Sequence, residues 1–386
     1  MHAILQEIQP SIADWTIFRR DLHQHPETGF AEHRTSRLVA EKLKEFGYEV
    51  DQGMAKTGVV GTLKCGNGSK TLGIRADIDA LPMTENSGKP WASQHTEKFH
   101  GCGHDGHTTI LLCAAEFLAR RRNFNGTLNL IFQPAEELLY GGRVMLEDGL
   151  LEKFPCDALF GLHNMPGMPV GTFHFRKQAM MASCDTVHIT VSGTGGHGAI
   201  PEKTVDATLV ACQIAVALQT IVSRNVTPFA QAVITVGSIH SGEAPNIINE
   251  KAVMKLSVRS LDPQVRQLLL KRIDEVARLQ AESFNAVAKV EHINGCPVLI
   301  NDDAQTEFAI SVARELVDES QICTDASALM GSEDFAFMLE ANPNGAYLMV
   351  GNGPGPMVHN PGYDFNDEII LPAAAYWCLL AERYLQ

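Results

Sequence analysis

Short apolar runs alternate with helical-period segments through the N-terminal half of the chain, and this alternation restricts the fold more than any other feature. Residues 59–63 and 72–76 are strand-like, 128–132 reads as a strand buried on both faces, and 158–162 is another short apolar strand. Residues 4–22, 34–46, 107–121 and 142–151 carry helical periodicity, and the second of these stops at Gly47, a natural C-cap. Such alternation predicts an α/β domain whose sheet is mixed but largely parallel and covered by helices on both faces.

The middle of the chain changes character. Residues 186–192 alternate polar and apolar like a half-exposed strand, and a long helical segment follows at 205–223. Strand-like runs at 231–239 and 252–258, a helix at 263–284 and a strand at 286–292 complete a βαββαβ order. That order is the split βαβ, ferredoxin-like module, which leaves an edge strand open for pairing. After Pro297 the α/β pattern returns, with helices near 307–317 and 370–385 and a strand at 346–350. A chain of 386 residues is long for one core. The expected organisation is a discontinuous α/β domain, 1–182 and 294–386, interrupted by an α+β insertion at 183–293.

Composition narrows the partners. The net charge of −14 argues against nucleic acid and anionic membrane. No apolar run reaches the roughly 18 residues of a membrane span, and residues 1–14 lack a basic-then-apolar signal pattern. Nine cysteines, an odd number without framework spacing, favour a reducing compartment. The expectation is a cytoplasmic protein.

Chemistry-bearing residues collect just after the apolar strands. Gly-Cys-Gly-His-Asp-Gly-His occupies 101–107, Pro-Ala-Glu-Glu 134–137, Gly-Leu-His-Asn 161–164 and Val-His-Asn-Pro 358–361. Open α/β sheets bind ligands beyond the carboxyl ends of their strands, where side chains distant in sequence converge. Cys102, His104, Glu136, Glu137, His163 and His359 are the types that hold a transition metal and deprotonate a water on it. Taken singly each is ordinary: the chain has fifteen histidines, and a lone cysteine is most often a small buried hydrophobe. Four such clusters at strand ends are not ordinary, and together they indicate a metal-dependent hydrolase.

These motifs, with Leu22-His-Gln-His-Pro-Glu27, Ile74-Arg-Ala-Asp-Ile-Asp-Ala-Leu-Pro82, Gly195-Gly-His-Gly198 and Gly331-Ser-Glu-Asp-Phe335, resemble the metallo-amidohydrolases that include hippurate hydrolases, N-acyl-amino-acid deacylases and auxin-conjugate hydrolases. The resemblance runs from about Arg19 to the final helix. It implies a metallo-aminopeptidase-like catalytic domain with an inserted lid and dimerisation domain, and two divalent ions drawn from zinc, manganese, cobalt and nickel. By the same resemblance the ligands are Cys102, His104, Glu137, His163 and His359, and the general base is Glu136. Asp79 orients a ligand. His107 is placed in a supporting role, turned away from His104 on the helix that follows. Asp77 and Arg75, at the same strand end as Asp79, fit a structural role equally well. In the relatives the histidine corresponding to His197 stabilises the oxyanion, often in the partner subunit, and Asn246 with Arg259 anchors the substrate carboxylate. Pro201 is suited to begin the helix after His197.

Departures from the family pattern concern the substrate. Glu202 stands where a histidine is common, Ala207 where a proline is, and Leu138-Leu-Tyr140 replaces small residues beside the glutamate pair. That loop is expected to narrow the acyl pocket. The expected reaction is hydrolysis of N-acyl amino acids to a carboxylic acid and a free amino acid, by a homodimer or dimer of dimers joined through the inserted domain. A dipeptidase or carboxypeptidase on the same scaffold is the enzymatic rival, and a non-catalytic conjugate-binding protein the rival from another class.

Overall fold

The computed structural model describes residues 2–386, which separate into two compact units. One comprises residues up to 178 with 300–327 and 334–386; the other comprises 179–299 with 328–333.

The first unit is built on an eight-stranded mixed sheet. Its strands in chain order are β1 (Glu49–Met54), β2 (Gly58–Cys65), β3 (Thr71–Asp77), β4 (Gly126–Gln133), β5 (Ala158–Pro166), β6 (Phe173–His174), β7 (Ile322–Cys323) and β8 (Gly345–Gly353). Across the sheet they lie in the order β1-β2-β4-β3-β5-β8-β6-β7. The central pairings β4/β3, β3/β5 and β5/β8 are parallel, while β1/β2, β2/β4 and β8/β6 are antiparallel. Every residue of β8 and nearly all of β4 and β5 are buried, so those strands show no alternation of buried and exposed positions. Strand β1 escaped the sequence reading because it is a polar, half-exposed edge strand, Glu-Val-Asp-Gln-Gly-Met. The helices His104–Arg121 and Ile370–Tyr384 are buried along most of their length and form the centre of the main core with Leu72, Ile74, Leu128 and Leu130.

Parallel register sets up the functional edge. Asp77 pairs with Gln133, and Arg75 pairs with Ile131 on one side and Gly161 on the other. The segments leaving β3 and β4 and the end of β5 therefore emerge together, carrying Asp79, Glu136, Glu137 and His163.

The second unit is a four-stranded antiparallel sheet, ordered Ala232–His240, Lys251–Ser260, Ser183–Ser192, Val287–Cys296. Burial alternates strictly along Ser183–Ser192 and Lys251–Ser260, so one face is apolar. Register places Val187, Ile189 and Val191 opposite Leu256, Met254 and Ala252, and the helices Ala207–Asn225 and Pro263–Glu282 seal that face through Ile214, Leu218, Leu269 and Ile273. The first helix starts not at Pro201, which opens a short 3₁₀ turn, but at Ala207, where the Asp206 carboxylate accepts the amides of Thr208 and Leu209. Ala207–Asn225 is long and apolar enough to match a membrane span by length and composition, yet its Val210, Ala211, Ile214, Leu218 and Ile221 face packs into this core. Residues 328–333, assigned by sequence to the catalytic domain, join this unit because Ala182 N–H reaches the carbonyls of Leu329 and Gly331 at 3.0 and 2.9 Å.

Candidate metal centre

Six of the expected site residues meet in the first unit. Cys102 and His104 stand at the start of the His104–Arg121 helix, which begins at His104 itself, three residues earlier than the periodicity indicates. Gly103 between them has φ +91°, and a Cβ there would lie 2.4 Å from both the Asn164 amide and the Tyr363 hydroxyl. Only glycine allows that approach. Glu136 and Glu137 sit in a 3₁₀ turn, Glu136–Leu138, flanked by Ala135 and Leu139 with φ of +56° and +51°. His359, also left-handed at φ +64°, is tethered by its N–H to the Gly101 carbonyl at 2.8 Å.

Candidate ligand atoms form overlapping triads, each within 4.8 Å: Cys102/His104/His163, Cys102/Glu137/His359 and His104/Glu136/Glu137. Cys102 Sγ lies 3.3 Å from His163 Nε2, and His359 Nε2 lies 3.4 Å from Glu137 Oε2. His104 Nε2 stands 3.9 Å from Glu136 and 4.0 Å from Glu137. The histidine tautomers are fixed from behind. His104 Nδ1 donates to the Asp79 carbonyl at 3.0 Å, and His163 Nδ1 donates to the Asn164 carbonyl. Each Nε2 is thereby left as an acceptor facing the cluster.

The electrostatics of the pocket call for cations. Burial alone would lower the pKa of His104, but Asp77 and then Asp79 outweigh it and lift it to about 10, so without metal its Nε2 carries a proton that a bound cation would displace. Burial, then Glu137 and Glu136, push the Cys102 thiol well up. Burial, aided by His107, drives His163 well down, so it is neutral. Glu137 is lowered: burial opposes the shift, but His359 and His104 prevail. His104 Nε2 and Glu137 Oε1 are both buried and make no hydrogen bond. Native proteins leave few such atoms, and a mixed thiol, imidazole and carboxylate set with two buried, unsatisfied polar atoms suits divalent metal ions.

Supporting residues are equally well fixed. The Asp79 carboxylate accepts the amides of Glu136 and Glu137, both at 3.0 Å. His107 does not turn away from His104: residues three apart share a helix face, and the two ring centroids are 5.4 Å apart. His107 Nδ1 donates to Asp77 at 2.6 Å, while its Nε2 accepts the Asn164 N–H at 3.0 Å. It therefore has no free nitrogen for a metal. Sequence reasoning gave no role to Asn164 or Tyr363. The Asn164 side chain donates to the Cys102 carbonyl at 2.7 Å and accepts from the Tyr363 hydroxyl at 2.7 Å, tying two of the strand-end clusters to the loop that follows His359. Its place beside His163 in Gly-Leu-His-Asn was the available signal.

The other expected residues lie in the second unit or on the surface. His197 is exposed, in a two-residue strand paired with Ile247–Ile248, and its Nδ1 accepts the Ala199 N–H at 3.0 Å. Asn246 is exposed and accepts the Gly198 N–H at 2.8 Å through its carbonyl. Arg259 donates to the Met330 carbonyl at 2.7 Å and to Ser332 at 3.1 Å. Leu138 and Tyr140 are exposed, and the Arg143 guanidinium lies 5.4 Å from the Tyr140 ring.

Residues 73–383 match the peptidase family M20/M25/M40. The chain is 46% identical to hippurate hydrolase of Campylobacter jejuni, over 99% of this chain and 100% of that one. It is 37% identical to N-acetyl-L-cysteine deacetylase of Bacillus subtilis, over 95% of this chain and 87% of the relative. Among solved structures it is similar to the Bacillus subtilis YXEP protein, described as a dinuclear metal binding peptidase, with TM-score 0.85 and 32% identity over 98% of this chain and 99% of that one.

Proposed function

The chain belongs to peptidase family M20/M25/M40, and from that premise we propose that it hydrolyses the amide bond of N-acyl amino acids, releasing a carboxylic acid and a free amino acid. Hippurate hydrolase and N-acetyl-L-cysteine deacetylase, its full-length relatives, bear names that describe this reaction. The observation that carries most weight is the convergence of Cys102, His104, Glu136, Glu137, His163 and His359 around two buried polar atoms that make no hydrogen bond.

The enzyme takes two divalent metal ions, with Cys102, His104, Glu137, His163 and His359 as the proposed ligands. When bound, the ions polarise the amide carbonyl and acidify a water. Glu136 is the proposed base: it accepts the proton of the attacking water and returns it to the leaving nitrogen. Asp79 aims both glutamates by holding their amides and fixes the His104 tautomer. His197 is the proposed donor to the developing oxyanion, and Asn246 and Arg259 are the proposed anchors for the substrate carboxylate. A dipeptide is also an N-acyl amino acid, so the reading is tested by comparing hippurate, N-acetyl amino acids and dipeptides, with and without a chelator. Preference for dipeptides, or turnover that survives chelation, refutes it.

We further propose that the protein is a cytoplasmic homodimer. Among the described residues the nine cysteines form no disulfide, which suits a reducing compartment. The Ala232–His240 edge strand exposes Val233 and Ile239, and the neighbouring helix exposes Leu209 and Val216. Such a strand and helix face favour pairing with a second copy. A monomer at micromolar concentration by light scattering excludes the dimer.

A further inference from the structure

We propose that Glu32, a residue without an assigned role in the sequence, is a positioning residue for the hydrolytic base, holding the turn that carries Glu136 and Glu137. The inference rests on the amidohydrolase reading and adds a component to it.

The turn is conformationally costly. Ala135 and Leu139, neither of them glycine, are both left-handed, a state that persists only where the surroundings over-determine it. Two constraints are internal: Leu139 N–H bonds the Glu136 carbonyl at 2.6 Å, and Gly141 N–H bonds the Ala135 carbonyl at 3.2 Å. Asp79 supplies a third by taking the amides of Glu136 and Glu137. The Ala135 amide is left over, in a residue wholly removed from solvent. Its acceptor is Glu32 Oε1, at 2.9 Å.

Glu32 is itself built in. It is fully buried, and its second oxygen accepts the Thr57 hydroxyl at 2.6 Å. The loop that carries it is closed by Glu27, whose carboxylate accepts the amides of Arg34 and Thr35, both at 2.9 Å. Backbone contact continues the brace: the Glu27 carbonyl accepts the Ala80 N–H at 2.8 Å, one residue beyond Asp79. A Cβ on Gly29 would stand 3.0 Å from both the Ala135 Cβ and the Leu138 Cδ1, so this loop lies directly against the turn. Two buried carboxylates from separate segments, Asp79 and Glu32, thus clamp three successive amides, Ala135 to Glu137. Without the Glu32 acceptor, the Ala135 amide would be buried unpaired. The turn would then relieve both faults by returning Ala135 to a right-handed conformation, which swings the Glu136 side chain away from its place. Displacement of a reacting group by about 1 Å costs on the order of 10²-fold in rate.

The requirement is for an acceptor at this position rather than for charge. Glutamine keeps an oxygen for Ala135, and the Thr57 hydroxyl can rotate to accept from the new amide. In metal-loaded protein, Glu32→Ala should lower kcat on an N-acyl amino acid about 10- to 100-fold with KM and metal content near wild type, and Glu32→Gln should restore most of it. Hydrogen exchange should rise in Glu32→Ala over the peptide containing 134–142, while the 104–121 helix stays protected. If the alanine variant does not fold, Glu32→Asp, whose shorter reach leaves Ala135, should show the same pattern at smaller amplitude. Wild-type kcat in Glu32→Ala or Glu32→Asp overturns the proposal. Glu32→Gln as damaged as Glu32→Ala overturns the acceptor account, and a uniform loss of protection with loss of metal reduces Glu32 to a general fold residue. If the wild type cleaves no N-acyl amino acid, the reaction assignment fails while the exchange measurement still decides for or against Glu32.

Discussion

Replacing Arg75 by Met should destabilise the first unit by about 4 kcal/mol, although the site's ligands are untouched. Arg75 is almost completely buried. Its Nε donates to Gln133 at 2.9 Å, Nη1 to Asp77 at 2.8 Å and Nη2 to Asp334 at 3.1 Å. Methionine fills a similar volume, so the cavity contribution is small. The main effect is that two buried carboxylates lose their shared cation. Removing one partner of a buried ion pair costs about 3–5 kcal/mol. Neither acid is stranded completely, because Asp77 keeps His107 at 2.6 Å and Asp334 keeps Gln133 at 2.7 Å and the Gly142 amide at 2.8 Å. The middle of the range is therefore expected, a large share of the 5–15 kcal/mol that holds a typical domain together. It corresponds to a fall of about 10 °C in the unfolding temperature of the unit, read by calorimetry. Arg75→Lys, which keeps the charge and loses the fork, should fall between the two. A Met variant within 1 kcal/mol of wild type would show that Asp77 and Asp334 are not held by this cation and would refute the reasoning.

Four other outcomes are expected. Glu136→Gln should abolish turnover and leave metal content intact, since it removes the basic oxygen and no proposed ligand; near-normal turnover sinks the assignment. Cys102 should resist alkylation in metal-loaded protein and react after chelation, so equal rates in the two states count against it as a ligand. His197→Ala should lower kcat by about 10²–10³-fold, as for loss of one oxyanion donor, and mixing it with Glu136→Gln should regain activity if His197 serves the partner subunit; full activity in the single variant makes it structural. Finally, burial raises Glu32 from its ordinary 4.5 to about 7, so in metal-free protein the native state holds a proton that the unfolded chain has lost between those values. Stability should therefore fall as pH rises through that window. Glu32→Gln should match wild type near pH 4.5 and exceed it by about 3 kcal/mol above pH 7, whereas a difference that does not change with pH contradicts the shift.

Much of this protein is determined locally. The mostly apolar runs that became β4, β5 and β8 read as strands buried on both faces because they are too short for a typical buried helix. Alternation along residues 186–192 likewise indicated a half-exposed strand before any partner strand was known, and burial alternates along the whole of Ser183–Ser192. The candidate ligands were legible because their residue types are rare together and each follows a strand. What the sequence left undecided depends on packing between distant segments. Strand β1 is polar, and only pairing with β2 makes it a strand. The helix at His104 starts three residues before its periodicity does, because Asp77 and Asp79 hold His107 and His104 from another strand end. Residues 328–333 are captured by the second unit through backbone hydrogen bonds that side-chain patterns do not encode. Asn164 and Glu32 are ordinary polar residues in sequence and became identifiable only when folding set their side chains against the backbone of the candidate ligand loops, with Tyr363 holding Asn164 in place. Side-chain chemistry can be read along a chain; the amide that a buried carboxylate satisfies is known only once both have been brought out of water together.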